Sequence, residues 1–262
     1  MHINFETIEK HAGEKLRRIE RHATSEDRIV ALKKFIKTET QRLYMRHRFG
    51  LSGELIASAR SLIVDLMIQR LAQMVSAKRA FDENSLNVAI VALGGYGRQE
   101  LAPFSDIDLL FLHGRGALDT AEVLNEEILY LLWDTGFSVG HSVRSLNECL
   151  SAAKEDAVTR NALLDARLLW GNRELLESLT AKLDETVVAK NRRAILDELA
   201  EEQNSRYAKF GAVPCLQEPN LKESAGGLRD LHSLLWTTRV AYGYGHLADL
   251  ATHGFLPERD VK

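Results

Sequence analysis

Apolar residues recur every three to four positions through the first third of the chain, which is the spacing of amphipathic helices. Thr24 and Asp27 fit the start of one such helix, and Gly50 fits its end. A second helix is predicted from Ser52 onward, because leucine, isoleucine and alanine repeat there at helical spacing. The first proline of the chain is Pro103, so neither predicted helix is interrupted.

The pattern changes to short β-branched runs after these helices. The run "SLNVAIVAL" (85–93) predicts a buried strand, because it is short, rich in valine and followed by glycines. A second strand is predicted for "DIDLLFLHG" (106–114) and a third for "FSVGHSV" (137–143). Helical spacing returns between them, over residues 119–135.

The rest of the chain is predicted to be helical. Ser145 and Glu148 have the spacing of a capping box, and the helical pattern that follows extends to about Phe210. Prolines and glycines cluster over 211–227, and "LRDLHSLLWTTRVAYG" (228–243) predicts one more amphipathic helix. The segment "HGFLPERDVK" predicts the first turn of a further helix, and a chain that ends there is expected to be a fragment of a longer protein.

These elements predict an α+β fold, with a small mixed β-sheet flanked by N- and C-terminal helical regions and a mostly helical chain overall. The predicted organisation is an N-terminal helical region (1–84), a sheet-containing domain with the helices that follow it (85–210), and the start of a C-terminal helical region (211–262).

Composition narrows the class of protein. The chain has 262 residues, 45% hydrophobic and 27% charged, with a formal net charge of −3, so no basic field predicts nucleic-acid binding. Its two cysteines, Cys149 and Cys215, form no disulfide framework, as is usual in a reducing compartment. No apolar run approaches the roughly 20 residues that span a bilayer, and the N-terminus has no secretory signal. We expect a cytoplasmic protein that binds neither nucleic acid nor membrane.

The candidate chemistry lies in the second predicted strand. Side chains alternate across a strand, so Asp106 and Asp108 project from one face while Ile107 and Leu109 face the core. Two neighbouring carboxylates repel each other unless a cation lies between them. Carboxylate oxygens together with substrate phosphates are the ligands that Mg²⁺ prefers. The pair therefore predicts a Mg²⁺ site.

The glycines before that strand predict a phosphate site. In "LGGYGR" the backbone of Gly94 and Gly95 can approach a ligand closely and can adopt positive φ. Successive N–H groups there would surround phosphate oxygens, and Arg98 could add a charge-assisted contact. Other phosphate motifs fit less well, since no Gly-Lys-Ser/Thr occurs and Glu100 replaces the third glycine of a dinucleotide fingerprint.

The glycine pair followed by "SDIDLL" resembles the nucleotidyltransferase superfamily that includes DNA polymerase β and the kanamycin nucleotidyltransferases. Four stretches in order resemble the bacterial PII uridylyltransferases, which are bifunctional uridylyltransferase/uridylyl-removing enzymes. These stretches are "GGYGRQELAPFSDIDLLFL", "LLWDTGFSVGHSVRSLNECL", "ALLDARLLWG" and "EPNLKESAGGLRDLHSLLW".

The resemblance implies transfer of UMP from UTP to a tyrosine of the PII signalling protein, with release of pyrophosphate, in the regulation of nitrogen metabolism. It implies that Asp106 and Asp108 are catalytic and bind the metal. The nucleotide-binding candidates are Gly94, Gly95, Arg98, Ser105, Lys222 and Arg229. Action on another protein substrate, or a degenerate domain that only binds nucleotide or a partner, are the alternatives.

Three features depart from the family pattern. The third strand contains no acid, so the third metal ligand or general base stays open between Asp165, Glu223 and His141. Gln99 stands where the family commonly has glycine. No His-Asp dipeptide occurs, so the phosphohydrolase domain of the full-length family is expected to be absent and residues 1–262 to carry the transferase half alone.

Overall fold

The protein is described by a computed structural model over residues 4–20, 24–81, 86–213, 217–218, 220–257 and 259. The chain divides into two compact units, Met1–Thr180 and Ala181–Lys262. The boundaries predicted at residues 84 and 210 stay a prediction. The expected helix start near the C-terminus falls mostly outside the described residues.

Helices make up most of both units, and one four-stranded sheet lies in the first. The helices are α1 Phe5–Glu20, α2 Ser25–Arg48, α3 Gly53–Arg79, α4 Gly94–Gly97, α5 Leu118–Asp134, α6 Leu146–Glu155, α7 Ala157–Leu164, α8 Arg173–Leu183, α9 Ala189–Phe210, α10 Leu228–Tyr242 and α11 Leu247–Thr252. The strands are β1 Val88–Ala92, β2 Ile107–His113, β3 Val139–Ser145 and β4 Arg167–Gly171. A π-helical turn, Asp184–Val188, joins α8 to α9.

The predicted helix starts are confirmed by their caps. The Thr24 hydroxyl accepts the N–H of Asp27 at 3.1 Å, and Ser52 caps α3 in the same way. Ser145 and Glu148 form the capping box of α6. These caps satisfy N–H groups that have no acceptor within a helix, which is why the helices begin where the sequence predicts.

The sheet has the strand order β3-β2-β1-β4. β1 is antiparallel to β2 and β4, whereas β2 and β3 are parallel and are joined by the crossover helix α5. One face of the sheet belongs to a core that also contains buried residues of α1, α2, α3 and α5. The expected α+β fold with a small mixed sheet is confirmed.

The fourth strand corrects one prediction. Residues between the capping box and Phe210 were expected to be helical throughout, but Arg167–Gly171 pairs with β1 as the strand β4. The apolar pattern of "LLDARLLWG" suits a helix equally well, because a five-residue strand is too short to show a period of two. The open edge of β1 decides the outcome, since its backbone groups need partners.

Candidate active site

Of the two candidate metal ligands, Asp108 is the second residue of β2 and Asp106 directly precedes the strand. Ile107 and Leu109 are completely or almost completely buried, whereas Asp106 and Asp108 are exposed. Side chains alternate along a strand, so Leu110 and Leu112 lie on the same face as Asp108, and both are buried. The two carboxylates are therefore exposed only at the first end of this face.

The glycine segment forms a single helical turn, α4, directly after β1. Gly94 has a φ of +53°, in the left-handed region that favours glycine. The N–H of Leu93 donates to the carbonyl oxygen of Asp108 at 3.0 Å, which fixes the start of this turn against β2. We call residues 94–97 the glycine turn. The first N–H groups of this helical turn have no intrahelical acceptor.

The carboxylate of Asp108 lies between two glycines. A Cβ atom on Gly94 would stand 3.9 Å from Oδ2 of Asp108, in ordinary contact. A Cβ atom on Gly140 would stand 2.3 Å from Oδ1, a distance that real Cβ atoms do not tolerate. Gly140 is the partner of Asp108 in the β2–β3 register. Any other residue at this position of β3 would force the Asp108 carboxylate to move from the place that it occupies.

Arg98 lies beside the glycine turn and is held there by two acids. Its guanidinium pairs with the Asp165 carboxylate, and its Nε donates to Glu100 at 2.9 Å. The Arg98 side chain is only 13% exposed. A Cβ atom on Gly95 would stand 3.8 Å from its Nη2, so the cation lies directly against the turn. Its place next to the candidate phosphate site agrees with the predicted role, which stays a prediction.

The open question of a third ligand is narrowed by these contacts. Asp165 orients Arg98, and His141 pairs in register with Leu109. His141 therefore lies on the sheet face opposite Asp108, where its ring meets the edge of Trp133 at 5.9 Å. Within the described parts of the chain, no group of three or more histidine, cysteine, aspartate or glutamate side chains is arranged to hold a metal.

The remaining candidates occupy different environments. Ser105 is exposed in the loop before Asp106, and its N–H donates to Ala102 at 3.1 Å. Lys222 and Arg229 belong to the second unit, where both approach Glu223, at 3.9 Å and 3.6 Å respectively. Glu223, a further candidate for the third ligand, is thus the ion-pair partner of these two cations. The guanidinium of Arg229 also lies 5.5 Å from the ring centre of Trp236.

Three residues that position this site were missed by the sequence reasoning. Arg167 of β4 donates to the carbonyl oxygens of Tyr96 and Gly97, and it pairs with Asp65 of α3. Gly140 provides the space for Asp108. A signal for Arg167 exists only if β4 is recognised as a strand next to β1. Asp65 lies at a helical position that its spacing alone does not distinguish.

Two family models match the chain. The nucleotidyltransferase domain model matches residues 75–169, which include the glycine turn and both aspartates. The model for the GlnD PII-uridylyltransferase matches residues 194–262. The chain therefore contains a nucleotidyltransferase domain.

Curated relatives specify the family further. The bifunctional uridylyltransferase/uridylyl-removing enzyme of Azospirillum brasilense is 45% identical over 161 residues, 62% of this chain and 17% of the relative. Proteins of the same name from Novosphingobium aromaticivorans and Erythrobacter litoralis are 36% and 35% identical over 214 and 212 residues, each covering 80% of this chain. The resemblance to the N-terminal region of the PII uridylyltransferases is confirmed.

The chain is much shorter than these relatives. The aligned segments span 17% to 24% of the relatives' length. Within the described residues, no helix is long and apolar enough to cross a membrane.

Proposed function

We propose that the protein transfers UMP from UTP to a tyrosine hydroxyl of the PII signalling protein and releases pyrophosphate. The observation that carries this proposal is the Asp108 carboxylate, which lies against the glycine turn on one side and Gly140 on the other. A phosphate held by the turn would therefore be next to the two acids. The family match supports the nucleotidyl group, and the names of the relatives support UTP and PII as substrates.

The two acids fit a Mg²⁺ ion bound together with the nucleotide. Mg²⁺ keeps several waters and is commonly held by one or two carboxylates and substrate phosphates, so a site with only Asp106 and Asp108 is sufficient. Both carboxylates are exposed, and glycine at position 140 leaves the Oδ1 side of Asp108 free of a Cβ atom. When bound, the metal would neutralise charge on the triphosphate during displacement.

The protein groups would orient the reacting atoms. The N–H groups at the start of the glycine turn would donate to triphosphate oxygens, and Arg98 would add positive charge beside them. In the reaction, the tyrosine hydroxyl loses its proton to solvent and its oxygen forms a bond to the α-phosphorus. The bond from that phosphorus to the oxygen that bridges it to the β-phosphate breaks, and pyrophosphate leaves with that oxygen. Holding these groups in line supplies a large part of the rate enhancement.

The test is transfer of label from α-phosphate-labelled UTP to purified PII. Asp108→Asn preserves the size of the side chain but removes its charge, so we expect transfer to fall more than about a thousandfold while the unfolding midpoint changes little. Asp119→Asn is the matched control, because Asp119 is an exposed acid of the same unit, on α5. Near-normal transfer by Asp108→Asn would contradict the assignment.

Nucleotide choice is tested separately. We expect UTP to be transferred in preference to ATP, CTP and GTP when each is supplied at equal concentration with Mg²⁺. Equal use of all four would support a nucleotidyltransferase but not a uridylyltransferase. Transfer to a protein other than PII would contradict the proposed substrate.

A further inference from the structure

We propose that Asp65 and Arg167 are a positioning pair that holds the glycine turn in the geometry required for binding the triphosphate. The inference rests on the proposed function and deepens it, because it adds residues that control the same site without touching substrate. Neither residue was a candidate from the sequence, and Asp65 lies outside the segment matched by the nucleotidyltransferase model.

Arg167 makes four polar contacts with its planar guanidinium. Nη1 and Nη2 donate to the two carboxylate oxygens of Asp65, at 2.7 Å and 3.1 Å. Nε donates to the carbonyl oxygen of Gly97 at 3.0 Å, and Nη2 also donates to that of Tyr96 at 3.1 Å. The fork geometry of arginine allows this bidentate pairing, which a lysine could not reproduce.

The two carbonyls lie at the C-terminal end of the turn, since Tyr96 and Gly97 are the last residues of α4. The Tyr96 oxygen also accepts the N–H of Gln99 at 3.1 Å, so Arg167 gives it a further donor. Arg167 therefore holds the C-terminal end of the turn, at the opposite end from the N–H groups that the proposed function assigns to the phosphates. Gly97 also lets the turn lie close to the backbone of Asp165, since a Cβ atom on Gly97 would stand 2.1 Å from the Asp165 carbonyl oxygen.

Asp65 determines the orientation of Arg167. The Asp65 side chain is only 7% exposed, whereas that of Arg167 is 26% exposed. A carboxylate so deeply buried requires a charged, hydrogen-bonded partner, so the pair keeps one geometry. The Tyr96 ring lies 5.5 Å from the guanidinium and is itself buried. Burial is the main cause that raises the pKa of Tyr96, with the neighbouring Asp65 carboxylate adding to it.

Helix α3 makes a second contact with the same segment. The hydroxyl of Ser61, one turn before Asp65, accepts the N–H of Leu101 at 3.2 Å. Both Ser61 and Leu101 are buried. The helix that precedes the nucleotidyltransferase domain thus holds the segment 96–101 at both ends, directly through Ser61 and through Arg167 at the glycine turn.

Loss of the pair is expected to loosen the turn without removing a group that contacts substrate. Misplacement of the turn's N–H donors would weaken binding of the triphosphate, because their effect depends on position. The KM for UTP should therefore rise about tenfold or more, while the KM for PII stays unchanged.

Hydrogen exchange tests the inference without any activity. The amides of Gly97, Arg98, Glu100 and Leu101 all donate to oxygen atoms and are expected to be protected. In Asp65→Asn, we expect peptides covering residues 93–101 to exchange at least about tenfold faster than in the original protein. The matched control is Glu39→Gln, which removes a similarly buried acid paired with Lys15 and Arg42.

Arg167→Lys provides a second variant, because it keeps a positive charge near Asp65 but loses the fork. We expect the same faster exchange in 93–101 with a smaller loss of stability. Exchange at the original rate in both variants, or equal acceleration in Glu39→Gln, would overturn the positioning role. If the original protein transfers no UMP, the proposed function is wrong, and the exchange comparison still decides whether the pair holds the turn.

Discussion

The two units hold a glycine-containing segment in the same way. In the first, Arg167 pairs with Asp65 and donates to carbonyl oxygens of the glycine turn. In the second, Arg206 of α9 pairs with Asp230 at 2.5 Å and donates to the carbonyl oxygen of Glu223 at 2.8 Å. Each segment also contains a glycine that backbone oxygens surround closely.

The two pairs differ in which partner is buried. Asp65 is the more deeply buried member of the first pair, at 7% exposure against 26% for Arg167. Arg206 is the more deeply buried member of the second, at 3% against 22% for Asp230. Asp230 is further satisfied by the N–H of Gly226 and the hydroxyl of Tyr207, both at 2.7 Å.

The charged side chains next to the two segments also differ. The glycine turn lies beside Asp108. The glycine-containing segment of the second unit, residues 221–227, includes Lys222 and is followed by Arg229. The glycine turn thus has Asp108 and Arg98 beside it, whereas Lys222 and Arg229 of the second unit share the acid Glu223. In both units the arginine of the pair donates to backbone carbonyl oxygens, while the other charged side chains nearby are different.

The largest expected effect is a difference in stability between variants of the two arginines. Arg167→Met leaves Asp65 buried and unpaired, which costs about 3–5 kcal/mol. Arg206→Met leaves Asp230 partly exposed and still hydrogen-bonded, so we expect a smaller cost of about 1–3 kcal/mol. Amide exchange in β1 and in α10, measured at increasing urea concentrations, reports the stability of each unit separately. A larger loss for Arg206→Met would contradict the difference in burial.

The next largest effect is the difference in destabilisation between alanine substitutions at the two crowded glycines, Gly97 and Gly227. A Cβ atom on Gly97 would meet a backbone oxygen at 2.1 Å, and one on Gly227 would meet three at 2.8–2.9 Å. Overpacking costs typically about 1–3 kcal/mol, so we expect Gly97→Ala near the upper end and Gly227→Ala near the lower. Gly13→Ala is the control, because nothing lies within 4 Å of its added Cβ, and it should stabilise α1. Thermal unfolding checks the order.

The pH dependence sharpens the comparison for the second unit. Burial alone would raise the pKa of Asp230, but hydrogen bonds from Arg206, Tyr207 and Gly226 outweigh it and lower the pKa from 3.8 to about 2. The charged form is thus stabilised by folding, and this contribution is present above pH 4 and is lost as the pH falls towards 2. Asp230→Asn should destabilise the second unit by about 1–2 kcal/mol at pH 7. The difference should shrink below pH 4, and a constant difference would contradict the ion pair.

The smallest effect concerns two residues with left-handed backbone, one just after the glycine turn and one in the second unit. Gln99 has a φ of 63°, whereas the second segment has Gly226 at 77°. Left-handed backbone costs a residue with a side chain about 1–2 kcal/mol, which glycine avoids at some entropic cost. We expect Gln99→Gly to raise stability by a few tenths to about 1 kcal/mol. A lower unfolding midpoint for Gln99→Gly would show that the Gln99 side chain makes compensating contacts.

The sequence was sufficient for features defined by neighbouring residues. The alternation at Asp106 and Asp108, the glycines before them and the Thr24 and Ser145 caps are local patterns with a direct physical meaning. Each was found because the interacting groups lie within a few residues of one another.

Features that depend on register were not predictable in this way. Gly140 matters only because β3 places it next to Asp108 in the register of the sheet. In the sequence it looks like any other glycine in a strand. Arg167 required recognition of β4, whose five residues are too few to reveal strand periodicity. Asp65 required knowledge of which helix packs behind the glycine turn, which a single sequence does not contain.

The contact between Arg167 and Asp65 also determines when the site is completed during synthesis. These residues are 102 positions apart, and Arg167 follows Gly97 by 70 positions. Contacts between distant residues must wait until both have left the ribosome, and they form later than local ones. The glycine turn and Asp108 therefore emerge well before the arginine that holds the turn. A nascent chain carries the acids of the site long before it carries the finished geometry, so under the proposed function we expect nucleotide binding only after the last strand has joined the sheet.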